Sequence, residues 1–316
     1  MKLIKALFLI LLIGAALLVI NSIFSVTIAR IYFGRIERDG RYLKVEQEEV
    51  FFKVIGDGDP VLMIHSFAGS HFDFLELAKL LSSNRRVYLL DLPGFGLSTA
   101  SNKGDYSRKG YAELVVDLMS LLNIEKADLI GHSFGGEVSL NIAYYFPERV
   151  NRLVLIDSSI HGDRDILPGL FARSKIMTRI AMRFYFKTFP VQRLLYTKGL
   201  GDKSLFSSET FGRYFSLVDH MSSSFIYEFI NSDDTASISD KLGEIECSTL
   251  ILWGENDIIL PVAEHGEPLA KKIPNSILKV VEGSGHAPFL ESPERIAKRS
   301  EEHTSELQSR QSISYA

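Results

Sequence analysis

One cysteine, Cys247, is the whole thiol content of the 316 residues. No intramolecular disulfide can form, and a Cys/His zinc site has too few ligands. No HExxH pair is present either, so no metal is expected. "GDGDP" at 56–60 and "GFG" at 94–96 are turn signals rather than phosphate loops or full dinucleotide fingerprints, and no cofactor is expected. Charge of one sign is also scarce. The formal net charge is -4, and no basic tail of the kind that grips a phosphate backbone is present. No nucleic-acid partner is expected. What the chain does have is 46% hydrophobic and 23% charged residues, enough for a sizeable core. One α/β domain with an insertion accounts for the length.

The two ends need separate treatment. Residues 6–29, "ALFLILLIGAALLVINSIFSVTIA", contain no charge and are long enough to cross a hydrocarbon core of roughly 30 Å as a helix. Lys2 and Lys5 precede the run and Arg30 follows it. A cleaved signal peptide would be shorter and end in a small-x-small site. Residues 1–30 are therefore expected to form an uncleaved membrane anchor. Basic residues flank both sides, so the orientation stays open. Residues 299–316, "RSEEHTSELQSRQSISYA", resemble the read-through translation of a sequencing adapter. The native chain is expected to stop near Lys298 and the tail to be without regular structure. The last helix would open with Ser292 as N-cap and Pro293 at N1.

Between the ends, apolar runs alternate with segments of helical length. The runs are 50–56, 61–67, 86–94, 127–133, 152–158, 249–257 and 277–283; the helical segments include 71–82, 107–122, 134–146 and 262–272. Runs this apolar suit strands buried on both faces. The pattern predicts a doubly wound, mostly parallel α/β sheet. Residues 159–236 break it with helical, Phe- and Tyr-rich sequence, and are expected to be an inserted helical cap between core segments 31–158 and 237–298.

Residues 131–135, Gly-His-Ser-Phe-Gly, are a G-x-S-x-G motif between a strand and a helix. That context suits a serine lifted off the sheet on a sharp turn. Ser133 is also a good helix N-cap, which is the plainer reading. A serine nucleophile needs a histidine to take its proton and an acid to orient that histidine. His286 follows the last expected strand and Asp257 the strand before it, in the order Ser, Asp, His. Asp157 also ends a strand and is the rival acid; Asp91 is expected to brace its loop. His132 flanks Ser133 as a supporting residue, whereas His71, His161, His220 and His265 are expected to be solvated or packing residues. The N–H groups of Phe134 and Phe67 are placed to form an oxyanion hole.

These motifs, in this order over about residues 50–298, make the chain similar to the α/β-hydrolase superfamily, in its capped serine esterase/lipase branch. The anchor adds a resemblance to monoacylglycerol-lipase-like members. The resemblance implies Ser133 as nucleophile, Asp257 as acid, His286 as base and Phe67 with Phe134 as oxyanion hole. The family's usual His-Gly-x is His65-Ser66-Phe67 here, so a positive φ at Ser66 would be strained. Carbon–carbon bond hydrolases of aromatic degradation typically carry Gly-Asn-Ser-Met-Gly and a Trp after the histidine. His132, Phe134 and Ala287 stand at those positions, favouring an ester. Amide, thioester and perhydrolase chemistry stay open, as does a non-catalytic binding role.

A lipid-like ester substrate and a membrane partner are expected together. Residues 160–200 hold eight Lys/Arg against Asp163 and Asp165. Were 173–187 one helix, Ile176, Ile180 and Phe184 would form an apolar stripe beside Lys175, Arg179, Arg183 and Lys187. That pattern fits a lid lying in the head-group region, and equally a pocket roof with solvated charges.

Overall fold

The computed structural model describes residues 2–101, 103–160, 174–232 and 237–314. Its centre is an eight-stranded sheet in the order β1-β2-β4-β3-β5-β6-β7-β8. The strands are β1 (Arg41–Val45), β2 (Glu48–Ile55), β3 (Asp59–Ile64), β4 (Arg85–Leu90), β5 (Ala127–His132), β6 (Val150–Ile156), β7 (Ser248–Gly254) and β8 (Ser276–Val281). Strand β2 runs antiparallel to both β1 and β4, and every other pair is parallel. The mostly parallel sheet expected from the apolar runs is therefore present. Strand β1 was not among those runs; "RYLKV" is short and mostly exposed, so it carries no buried-strand signature.

Helices flank both faces: α1 (Lys2–Phe33), α2 (Leu75–Leu81), α3 (Arg108–Leu121), α4 (Phe134–Tyr145), α5 (Lys175–Ala181), α6 (Phe189–Gly199), α7 (Ser208–His220), α8 (Ser223–Ile230), α9 (Gly266–Lys272), α10 (Pro288–Glu291) and α11 (Pro293–Ser314). Alternation along each strand divides the core. Leu62, Ile64, Leu129, Leu153, Leu155 and Ile251 pack with α3, α4 and α9. Val61, Met63, Ile130, Val154, Ile156 and Leu252 pack with α2, α10 and α11. Each central strand thus buries both faces, which is why its sequence shows no polar alternation.

The chain between β6 and β7 forms helices α5 to α8, as the Phe- and Tyr-rich stretch implied. Ser174, Ser207 and Ser222 accept hydrogen bonds from backbone N–H groups at the starts of α5, α7 and α8. The single basic stripe expected over 173–187 does not form. Helix α5 ends at Ala181 and a π-turn occupies Met182–Phe186, which rotates the residues beyond it. Ile176 and Ile180 are exposed. Lys187 turns inward and donates to the Asp219 and Met221 carbonyls. Arg183 donates to the Ser22 carbonyl and pairs with Asp219. His161, Asp163, Arg164, Asp165, Phe171 and Arg173 lie outside the described residues.

Helix α1 has two unlike halves. Leu12, Ile13, Leu17, Leu18, Val19 and Ile20 are exposed. From Ser22 onward the helix docks on the insertion: Ser25 Oγ accepts the Phe189 N–H at 2.9 Å, and Phe33 stacks on His220 with ring centres 4.6 Å apart. Gly212 is where α7 meets Tyr32; a Cβ there would lie 2.2 Å from the ring, so only glycine permits the crossing.

The tail departs from expectation. Helix α11 continues from Pro293 to Ser314. Ile296, Ser300 and His303 fall on one helical face and are buried. Glu301 pairs with Arg85 at 3.3 Å, and His303 Nε2 meets Ser248 Oγ at 3.1 Å. The face is largely polar, so hydrophobic periodicity did not signal it.

His71, expected to be a solvated or packing residue, is buried against Asp91. Asp91 braces its loop as expected: its carboxylate accepts the His71 N–H at 2.6 Å, His71 Nδ1 at 2.9 Å and the Leu97 N–H at 2.7 Å. Burial would raise the Asp91 pKa, but the charge and hydrogen bond of His71, with His65 and the Leu97 N–H, hold it below its ordinary 3.8. A depressed folded pKa stabilises above the unfolded value and is lost as pH falls through the folded one. Asp91→Ala should cost roughly 3–5 kcal/mol in urea unfolding at pH 7, because it strands buried donors. The gap to wild type should narrow only below about pH 3.8. A difference under about 1 kcal/mol at pH 7 would refute the bracing role.

Candidate active site

Strand β5 ends at His132 and α4 starts at Phe134, so Ser133 alone makes the turn. Its φ of 50° and ψ of -114° are strained for a non-glycine residue. Four hydrogen bonds hold it there. The Ser133 N–H donates to the Ile156 carbonyl at 3.0 Å, and the Ser133 carbonyl accepts the N–H of Gly136 at 2.9 Å, of Glu137 at 3.2 Å and of Ser159 at 3.3 Å. Gly135 lets the turn press on β3: a Cβ there would sit 2.1 Å from the Ile64 carbonyl oxygen. The Ser133 side chain makes no capping hydrogen bond to α4, so the helix-cap reading fails. The hydroxyl instead lines a cavity of about 260 Å³ shared with His286, His132, Phe67 and Tyr214.

His286 lies in the loop after β8, and Asp257 in the loop after β7. His286 Nδ1 is 2.7 Å from Asp257 Oδ2. The other Asp257 oxygen accepts the N–H groups of Ile259 at 2.8 Å and Leu260 at 2.9 Å. Burial pushes the Asp257 pKa up, but the His286 hydrogen bond and charge and these two N–H groups bring it below its ordinary value. It is an anion, which requires His286 to carry its proton on Nδ1 and leaves Nε2 free.

Asp157, the rival acid, is fully buried with φ 42°. One oxygen accepts the Gly254 N–H at 2.8 Å. Burial first, and the neighbouring Asp257 charge second, push its pKa well above the carboxylate range. The two carboxyl groups are thereby driven apart, one anionic and one neutral. Asp157, Asp257 and His286 offer ligand atoms within 4.8 Å of one another. A cation there would have to displace the Nδ1–Asp257 hydrogen bond.

The loop after β3 carries Phe67. His65 is fully buried; its Nε2 accepts the Leu92 N–H at 3.0 Å, so Nδ1 donates to the Ser66 carbonyl at 2.7 Å. That pair of bonds sets the loop's path. The strain anticipated at Ser66 does not occur; the left-handed residue is Ala68, φ 61°. The Phe67 ring packs against Phe95 and Phe229 at 5.4 Å each. Phe134 packs against Phe229 at 5.3 Å and Tyr111 at 5.4 Å. Both residues are pinned by an aromatic layer shared with the insertion.

His132 supports the histidine loop. Its Nε2 donates to the His286 carbonyl at 2.7 Å. Burial, and then the His286 charge, push its pKa well below the usual value, so it is neutral. Sequence reasoning missed three neighbours. Glu291 accepts the N–H groups of Gly285 at 2.7 Å and of Gly201 and Asp202 at 3.0 Å, joining the histidine loop to the insertion. The His286 N–H also donates to the Gly199 carbonyl at 2.7 Å. Asp73 lines the cavity, with its pKa pushed up to about 7 by burial. Tyr214 lines it too and donates to Gln192 Oε1 at 2.9 Å. A capping acid three residues after Ser70, or a glutamate two residues before Pro293, gives no sequence signal of such roles.

Comparison with known proteins places the fold. An uncharacterized hydrolase of Bacillus subtilis, YugF, is 30% identical over 241 residues, 75% of this chain and 87% of that protein. The 2-hydroxy-6-oxononadienedioate/2-hydroxy-6-oxononatrienedioate hydrolase of Comamonas testosteroni is 29% identical over 73% of this chain and 82% of its own length. A bacterial membrane phospholipase A superposes with a TM-score of 0.69 over 98% of this chain and 99% of its own, at 22% identity, a likeness of fold alone. Residues 59–293 match the family described as the alpha/beta hydrolase fold, and the chain belongs to that family of hydrolases.

Proposed function

We propose that the chain is a serine hydrolase that cleaves carboxylic esters of lipid-like acyl groups. The observation that carries this reading is Ser133. It stands on a strained turn with its hydroxyl free of the helix, and faces the same cavity as a histidine held by an ionised aspartate. His286 Nε2 takes the Ser133 proton as Oγ attacks the ester carbonyl. The N–H groups of Phe67 and Phe134 receive the developing oxyanion. Collapse releases the alcohol, protonated by His286, and leaves an acyl group on Ser133. Water, activated by the same histidine, then releases the acid. Asp257 fixes the imidazole tautomer and stabilises the imidazolium.

The lipid-like substrate is supported by the cavity mouth. Leu195 and Ile259 line the cavity and are exposed, beside exposed Leu194 and Ile258. Exposed Ile176, Ile180 and Tyr185 extend the apolar surface over α5 and the π-turn. Helix α1 carries an apolar stretch long enough to span a bilayer, and the docking of its second half, from Ser22 on, would bring that mouth to the membrane surface. The insertion is then a lid facing the bilayer and α1 an anchor. The Comamonas relative is named as a hydrolase of 2-hydroxy-6-oxononadienedioate and 2-hydroxy-6-oxononatrienedioate, so carbon–carbon bond hydrolysis is the second reading. It would use the same Ser133, His286 and Asp257.

Ser133→Ala should lower ester turnover by about 10⁴-fold or more, with only binding and oxyanion stabilisation left. It should also abolish labelling by a serine-directed phosphonate. Near-wild-type hydrolysis by the folded variant would end the esterase reading. Asp257→Asn should lose about 10⁴-fold in kcat, as loss of the orienting carboxylate does elsewhere. Asp157→Asn, which replaces a neutral acid by a neutral amide, should lose less than about tenfold by the same comparison. The reverse order would assign the acid to Asp157. In an ester series, octanoyl and longer chains should exceed acetyl in kcat/KM. Turnover of a vinylogous 1,5-diketone but of no ester would establish the carbon–carbon reading instead.

A further inference from the structure

Helix α1 and the insertion enclose a second cavity, of about 520 Å³. It shares no lining residue with the Ser133 cavity. Val26, Arg30 and Phe33 form its α1 wall; Arg183, Asp219 and His220 face them from the insertion. The lining is mixed: Val26, Ala29 and Phe33 are apolar, and Arg30, Arg183, Ser216, Asp219 and His220 are polar or charged, with the Ser216 hydroxyl donating to the Arg213 carbonyl at 2.7 Å. Two guanidinium groups against one carboxylate make it net positive. Arg183 is anchored by the Ser22 carbonyl at 3.1 Å and Asp219 at 3.3 Å. Arg30 is exposed and has no ion-pair partner among the described residues. Arg38 adds positive charge nearby, over the face of Phe33 at 5.0 Å.

The cavity's level along α1 is the decisive point. The helix ahead of Ser22 starts at Lys2 and already measures about 30 Å at 1.5 Å per residue, the thickness of a hydrocarbon core. From Ser22 the helix lies against protein rather than standing free. Val26 to Phe33 therefore sit about one to three turns beyond that free half, at the level of the head groups when the free half fills the hydrocarbon. A net-positive cavity at that level, open beside a lipid-facing helix, meets phosphodiester oxygens whenever the chain is in a bilayer. Guanidinium groups suit that geometry, donating paired N–H bonds to phosphate oxygens.

We propose that this cavity binds the phosphodiester of a membrane phospholipid head group, with Arg30 as the principal contact and Arg183 as the fixed second cation. Bound lipid would hold the insertion against α1, and so hold the mouth of the Ser133 cavity at the surface. The proposal rests on the reading of α1 as a membrane anchor.

The test uses the full chain in neutral detergent and a short dihexyl-ether phosphatidylglycerol, which ester hydrolysis cannot consume. Melting temperature is followed as the lipid is titrated. Dihexyl-ether glycerol, lacking phosphate, and inorganic phosphate are the parallel arms. The ether phospholipid should raise the melting temperature saturably, and the other two should not. Arg30→Gln should weaken the apparent affinity at least tenfold, and Lys198→Gln, an exposed cation of the insertion outside the cavity, should leave it unchanged. Arg30 makes no ion pair among the described residues, so this variant stays interpretable even where Arg183→Gln loosens the insertion. Equal titration by Arg30→Gln overturns the site. An equal shift with the phosphate-free ether overturns it in favour of acyl binding, and an equal shift with inorganic phosphate overturns the lipid in favour of a free anion. Alkaline carbonate extraction of cell membranes separates the premises. Extraction of wild type would sink the anchor reading. Wild type that resists extraction but shows no Arg30-dependent titration would sink the head-group site alone.

Discussion

The backbone of Ser133 is the constraint around which the site is arranged. A φ of 50° with a ψ of -114° costs about 1–3 kcal/mol and persists only where the surroundings over-determine it. Here β6 takes the Ser133 N–H, the Ser133 carbonyl holds the start of α4 and the loop after β6, and Gly135 packs directly on the end of β3. Three neighbouring strands of one parallel sheet therefore act on a single residue. The strain lifts the hydroxyl away from the helix it would otherwise cap and turns it to the cavity. The same geometry puts the Phe134 N–H at the head of α4, where helix-terminal donors face a developing negative charge.

Two buried aspartates at adjacent strand ends show how environment divides like groups. Asp157 and Asp257 are close enough to repel, and each is deeply buried. Asp257 has two backbone N–H groups on one oxygen and His286 on the other. Asp157 has a single N–H donor and the Asp257 charge as its neighbour. One carboxyl is stabilised as an anion and the other as a neutral acid, so only one is suited to hold an imidazolium. A third aspartate, Asp91, is anionic through His71 and Leu97 and serves the loop that passes beneath His65 and Phe67.

The insertion is attached at two ends. Toward the site, Glu291 and the His286 backbone tie the loop after α6 to the histidine loop. Away from it, Ser25, Ser22 and Phe33 tie α1 to α6, the π-turn and α7. The apolar helix and the candidate catalytic histidine thus grip one body of helices from opposite sides. An aromatic layer of Phe67, Phe95, Phe134, Phe225 and Phe229 fills the space between that body and the sheet. In the proposed function, this linkage is the physical connection between a bilayer and the ester site.

What the sequence determined by itself was whatever local chemistry writes in a few neighbouring residues. Buried-strand runs gave the parallel sheet, because both faces of each strand are covered. The Gly-His-Ser-Phe-Gly turn marked Ser133, because that bend tolerates little else, and the position of His286 after the last run followed from strand order. Strand order already favoured Asp257 over Asp157; tertiary structure set their charges, since Asp257 holds the local Ile259 and Leu260 N–H groups and the distant His286, whereas Asp157 is buried with the single N–H of Gly254. Tertiary structure placed the left-handed residue at Ala68 rather than Ser66, and turned Lys187 inward because a π-turn shifts the helical phase. It also extended α11 along a polar face that hydrophobic periodicity does not register. Helix α1 shows the same division: its apolar length was legible in the sequence, but the docking of its second half depends on Gly212, Phe189 and Arg183, some 160 to 180 residues away.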